Sequence, residues 1–206
     1  MTPYDVKREF KHCYAPKNLD WELVDVPEQR FIAVDGRGDP NTSADYAGAV
    51  EALYAVAYTI KFASKRTIDR DFVVGPLEGL WWAGDPQVFA SRAKDSWQWR
   101  MLISQPEWIT EDMIDDAKHV AHTKKGLPVI ADVRHETLRE RSSAQVLHIG
   151  PYDEEGPVLA RLHDEWLDAN KLRMSGLHHE IYLSDRRRTD PARLKTILRQ
   201  PVQPAV

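Results

Sequence analysis

Read from the N-terminus, the hydrophobic pattern of the chain switches repeatedly between the period of a strand and that of a helix. After a polar N-terminal segment, Arg30-Phe31-Ile32-Ala33-Val34-Asp35-Gly36 reads as a strand that the turn Gly36-Arg37-Gly38-Asp39-Pro40 ends. A long helix follows, capped by Thr42 or Ser43, with Tyr46, Val50, Leu53, Tyr54, Ala57 and Ile60 at spacings of three and four. Leu77 to Ala83 and Trp97 to Ser104 are predicted strands, separated by Gly84-Asp85-Pro86 and a charged loop. A middle helix runs over about 110–125, with acids in its first turn, lysines in its last, and Gly126 and Pro128 as its stop. Val129 to Arg134 and Ala144 to Ile149 are strand-like, and Gly150-Pro151-Tyr152 breaks the chain. A helix from Pro157 carries Val158, Leu162, Trp166 and Ala169, Leu177 to Ser184 is a strand, and Leu194 to Leu198 is a last apolar segment.

The order strand, helix, strand, strand therefore occurs twice, which predicts an internal duplication of about residues 20–106 and 128–201 joined by the middle helix, in one domain spanning 1–206. Val34-Asp35-Gly36 answers His148-Ile149-Gly150, and Leu102-Ile103-Ser104-Gln105-Pro106 answers Ile197-Leu198-Arg199-Gln200-Pro201. Aligning Asp85 with Asp185 matches Leu80 with Glu180 and Trp82 with Tyr182. The expected fold class is α+β: two pseudo-symmetric modules with an antiparallel sheet, facing each other across a central cleft where a ligand would sit.

Alternation also brings acids and rings together. Residues two apart on a strand share a face, so Glu78, Leu80 and Trp82 point one way, and Glu180 points with His178 and Tyr182. A carboxylate among rings hydrogen-bonds a buried donor, pairs with a ligand cation, or serves as a general acid or base. For Glu78 a further reading is that Gly79 makes the strand irregular and turns the acid to solvent. His178 would titrate near neutral pH and tune Glu180, or is an ordinary strand-end histidine. Tyr152 is either a turn residue or a phenol aimed across a pocket mouth.

Composition narrows the classes. Hydrophobic residues at 42% and charged residues at 29% describe a globular chain rather than a disordered one, and a net charge of -4 argues against nucleic acid as a partner. The Arg186-Arg187-Arg188 run reads as a solvated loop. Cys13 is the lone cysteine, which excludes an internal disulfide and points to a reducing cytoplasm; no apolar run of membrane length or leader is present. Five of seven tryptophans (Trp81, Trp82, Trp97, Trp99, Trp108) fall within 28 residues, a density that marks a core, a pocket wall or an interface. No Gly-x-Ser-x-Gly, Walker or His-Glu-x-x-His motif occurs, and His119 with His122 lack further ligands, so no metal and no cofactor is expected.

The runs Val34-Asp35-Gly36-Arg37-Gly38-Asp39-Pro40, Pro76-Leu77-Glu78-Gly79-Leu80-Trp81-Trp82, His148-Ile149-Gly150-Pro151-Tyr152-Asp153-Glu154-Glu155 and His178-His179-Glu180-Ile181-Tyr182-Leu183-Ser184-Asp185 resemble the GyrI-like small-molecule-binding family. The resemblance covers about residues 20–200 and implies two strand-helix-strand-strand copies around a cleft. It further implies either a ligand-binding module like those of multidrug-sensing regulators, or a stand-alone hydrolase that opens cyclopropane rings of DNA-alkylating natural products, a xenobiotic-resistance activity. The first twenty residues hold no helix-turn-helix, which favours the stand-alone branch. By motif position Glu180 would be the cleft acid, with Glu78 the second catalytic candidate. Trp82, Tyr152 and Tyr182 would line the cleft, together with Leu80, His178, Trp97 and Trp108. The partner expected is a lipophilic small molecule, planar or cationic, or, in an adaptor reading drawn from gyrase-inhibitor relatives, another protein. Oligomeric state is left open.

Overall fold

In the computed structural model, residues 2–84 and 93–205 are described. Asp85 and Pro86, used above for a turn and an alignment, lie outside them. In chain order the elements are α1 (Val6–Glu9), α2 (Lys11–Tyr14), β1 (Glu22–Val26), β2 (Gln29–Arg37), α3 (Ala44–Ile68), β3 (Leu77–Trp82), β4 (Gln98–Gln105), α4 (Glu111–Lys125), β5 (Arg134–Leu138), β6 (Arg141–Ile149), a helical stretch α5 (156–169), β7 (Leu172–Met174), β8 (His178–Tyr182) and β9 (Lys195–Pro204). They form two compact units. The first is the N-terminal segment through Glu9 with Gln29–Leu138; the second is Phe10–Glu28 with Arg139–Val206. The class is α+β with antiparallel sheets. No described helix is long and apolar enough to cross a membrane.

In the first unit the strand order is β3-β4-β2-β5. α3 begins at Ser43, whose side chain accepts from the Tyr46 amide, and buries Tyr46, Ala49, Leu53, Val56, Ala57 and Ile60. That line runs one step to the side of Val50 and Tyr54. α4 has the predicted bounds, with Thr110 as N-cap and Gly126 as C-cap. Val129 to Asp132, in contrast, does not extend as a strand. Pro128 opens a 3-10 turn over Pro128–Asp132, and Ile130 and Val133 are buried there, so the strand starts only at Arg134.

Cross-strand partners show which face each residue takes, because directly paired residues share a side. Gly36 pairs with Trp99, and Val34 with Met101, on the face that α3 covers through Tyr46, whose ring meets Trp99 edge-on at 5.2 Å. Gly36 is the seat of that tryptophan: a Cβ there would lie 2.1 Å from the Trp99 ring. Phe31, Ala33, Leu80 and Leu102 form a separate buried cluster on the opposite face, with Trp82 packed against it.

In the second unit the order is β8-β9-β6-β1, with β7 on the far end of β9. In both units the strand leading into the helical segment and a strand following it flank a third: β4 lies between β2 and β3, and β9 between β6 and β8. The α5 face carries Trp21, Ala144, Val146, Leu162, Leu167 and Leu198. On the other face a charge is fully buried. Arg199 donates from Nη1 to Glu140 Oε2 (3.0 Å), from Nε to Gln145 Oε1 (3.0 Å) and from Nη2 to the Cys13 carbonyl (2.8 Å). His179 Nδ1 on β8 lies 2.9 Å from the other Glu140 oxygen, Oε1. Burial alone would raise the Glu140 carboxyl, but His179 and Arg199 outweigh it and hold it at about 2.

Two outcomes are expected. Gly36→Ala forces Trp99 out of its fully packed position and should lower the stability of the fold by about 1–3 kcal/mol, read as a shifted urea midpoint; an unchanged midpoint would contradict the seat. Because an unfolded glutamate titrates near about 4.3, the Glu140 contribution is complete above that pH and is lost as pH falls toward about 2. Glu140→Gln strands the Arg199 charge and should cost about 3–5 kcal/mol at neutral pH, a deficit that shrinks on acidification in denaturation curves.

Candidate functional site

β8 alternates between the two faces of its sheet, and this places the acid. His179 and Ile181 point to the Arg199 side. Glu180 pairs with Leu198 and Tyr182 with Thr196, so both lie on the face under α5. The Tyr182 hydroxyl donates to Glu180 Oε2 at 2.8 Å, and His178 Nε2 stands 3.4 Å from Oε1. Glu180 keeps 15% of its side chain exposed.

The opposing wall is the segment between β6 and α5. Gly150 has φ +147°, a region other residues rarely adopt, and its amide donates to the Leu194 carbonyl at 3.0 Å. His148 Nε2 lies 3.1 Å from the Pro151 carbonyl, which fixes the turn that follows. Tyr152–Glu154 then form a 3-10 turn, and the Tyr152 ring meets the Tyr182 ring edge-on, 5.7 Å between centroids. Burial first, then Glu155, pushes the Tyr152 phenol up to about 12, with Arg186 acting against them. It remains a hydrogen-bond donor at neutral pH.

Glu155, which sequence reasoning passed over, completes the cluster. It is 6% exposed, and its Oε1 has no hydrogen-bond partner among the described residues. Burial, then the negative charge of Glu180, drives its carboxyl far above the usual carboxylate range, the Thr196 side chain working the other way. Burial and a neighbouring acid thus act together to hold the proton on Glu155. The signal for it was present: Tyr152 and Glu155 are three apart, the repeat that stacks side chains on one side of a 3-10 turn. His163 also joins the site, from a π-helical turn, Leu162–Trp166, inside α5. Burial and then His178 hold its imidazole below the ordinary value.

Four of the expected residues, Glu180, Tyr182, Tyr152 and His178, thus come together in the second unit. The others belong to the first and divide among three places. Glu78 is fully buried on β3, in an unbroken register with β4, so Gly79 does not turn it to solvent; Glu78, Leu80 and Trp82 share the face away from α3. Relative to their helices, Leu80 and Trp82 thus lie on the opposite face from Glu180 and Tyr182, so the alignment that matched them does not bring like faces together. Trp97 meets Trp81 edge-on at 5.7 Å on the α3 side, near Tyr46. Trp108 sits at the far end of α3, donating to Ser64 Oγ at 3.1 Å beneath the Arg70 guanidinium. Tyr46 and Ser64 are separated by about 27 Å along the helix, so Trp97 and Trp108 do not line one wall. His119 and His122 are exposed on α4, and no group of three or more metal-ligating side chains is found among the described residues.

A GyrI-like small molecule binding domain model matches residues 20–203. The chain belongs to that family. Among solved structures, an uncharacterized conserved protein from Listeria innocua is 40% identical with a TM-score of 0.89, covering 97% of this chain and 100% of that one. A hydrolase from Listeria innocua is 38% identical with a TM-score of 0.85, again covering 97% and 100%. The EcmrR C-terminal domain shares the fold at 10% identity, with a TM-score of 0.58, covering 90% of this chain and 98% of that one. No curated protein sequence matches the chain. For this GyrI-like domain the acid pair has a consequence for stability. A carboxyl raised on folding stabilises fully below its unfolded value of about 4.3, and that contribution is lost as pH rises toward its folded value. Glu155→Gln removes this titration, so its melting temperature should exceed that of the parent by a margin growing from about pH 4 upward. Parallel curves would show Glu155 to be ionised in the fold.

Proposed function

We propose that this GyrI-like domain is a hydrolase that adds water across a strained, lipophilic electrophile, the cyclopropyl group of an alkylating compound being the class the family implies. The observation that carries this reading is the enclosed Glu155 carboxyl, whose burial favours its protonated form, beside the Glu180 side chain that the Tyr182 hydroxyl orients. Glu180, oriented by the Tyr182 hydroxyl, takes a proton from a water molecule as its oxygen bonds to a ring carbon. The ring C–C bond breaks, its electrons move into the conjugated carbonyl of the substrate, and Glu155 delivers its proton to the oxygen that becomes basic. Glu155 ends ionised and Glu180 protonated, so total charge is conserved and proton exchange resets the pair. The Tyr152 and Tyr182 rings offer a flat substrate an apolar edge. The hydrolase relative of 38% identity supports the reaction class.

A second reading, sequestration without chemistry, is favoured by the single negative charge beside two tyrosine rings, which suits a lipophilic cation. Incubation with a cyclopropyl-bearing alkylating compound, followed by mass spectrometry for the hydrated ring-opened product, separates the two. Glu180→Gln and Glu155→Gln should each lower kcat by about 10²- to 10⁴-fold while ligand still quenches tryptophan fluorescence. Full turnover in both variants would exclude the acid pair, and fluorescence quenching without product in the parent would leave the binding reading.

A further inference from the structure

The exposed side of α3 carries a ladder of rings. Tyr54, Tyr58 and Phe62 stack at spacings of four, with centroids 6.4 Å apart at both steps. Tyr58 is 47% and Phe62 57% exposed, large apolar surface on a helix whose other faces are packed against the sheet and α4. The line extends to an acid at one end and a base at the other, for Glu51 and Lys65 are both exposed and lie seven residues to either side of Tyr58.

The geometry points to a second copy of this chain as the partner of that stripe. A two-fold axis through Tyr58 requires each residue to meet its mirror position in the partner helix. In an antiparallel pair of α3 helices centred there, Tyr58 meets Tyr58 of the second copy and Tyr54 meets Phe62. Glu51 meets Lys65, and the same contact recurs at the other end. Residues 51, 58 and 65 repeat every seven, the spacing that keeps one line of a helix against a neighbour crossing at about 20°. Each charged pair stands about 10.5 Å along the axis from the centre, within reach of long side chains. Of the present contacts of these residues, Glu51 with Lys125 is exposed on both sides and weakly held, and Lys65 shares Asp71 with Lys61, which keeps that carboxylate paired when Lys65 turns to the second copy. The parallel orientation is disfavoured by the same charges, since Glu51 would face Glu51 and Lys65 would face Lys65.

The test is the mass of the full chain in sedimentation equilibrium at tens of micromolar and low salt. The parent should be a dimer, and Tyr58→Lys, which sets like charges on the axis, should be a monomer. Glu51→Lys and Lys65→Glu should each weaken the dimer at least tenfold. The double reversal Glu51→Lys with Lys65→Glu should restore it, a rescue that no other docking mode predicts. Circular dichroism checks that each variant keeps its helices. A monomeric parent would overturn the proposal and leave the stripe to a different partner, as would a dimer indifferent to Tyr58→Lys or a double reversal as weak as the single ones.

Discussion

Arg199 is a guanidinium with no access to water, and the second unit is arranged around satisfying it. Glu140 supplies the counter-charge, Gln145 and the Cys13 carbonyl take the remaining donors, and the small α2 turn is thereby tied to the sheet. Glu140 also engages His179, and that contact fixes the register of β8. A strand cannot slip by one residue without exchanging its faces, so once His179 is committed to Arg199, Glu180 must emerge on the opposite side. The position of the candidate catalytic acid is thus a by-product of where a buried charge found its partner.

On that side the chemistry is set by competition rather than by a single residue. Glu180 is held by the Tyr182 hydroxyl and stays partly exposed, whereas Glu155 is enclosed and its carboxyl is raised. Environments that push two carboxyls apart in acidity divide the labour between them, one donating and one accepting protons. Glu78, an acid of similar sequence surroundings, is fully buried and lacks the exposure of Glu180.

Much of this was readable from the chain. α3 and α4 declare themselves through caps and periodicity, and alternation alone put Glu180 and Tyr182 on one face. β1 and β7 did not, because each is a short strand whose pairing depends on distant partners in β6 and β9. Trp97 and Trp108 were grouped by nearness in sequence, which a 25-residue helix undoes by holding one at each end. Glu155 escaped because it closes a run of three acids that reads as solvated surface. Its spacing from Tyr152 places it beside that ring, but its burial comes from the turn packing on β8 and β9, a tertiary event. The face-by-face mismatch between Leu80 and Glu180 has a similar origin: composition aligns strands, but only hydrogen-bond register says which side is up.

The shared charge of Glu155 and Glu180 makes the site respond to what occupies it. Glu155 keeps its proton chiefly because it is enclosed and partly because Glu180 is negative. A cation resting on Glu180 would weaken that repulsion and leave the enclosure intact, whereas a neutral guest would leave both. The acidity of Glu155 is therefore answerable to what lies beside its neighbour, and a charge placed at one carboxyl would be felt at the other.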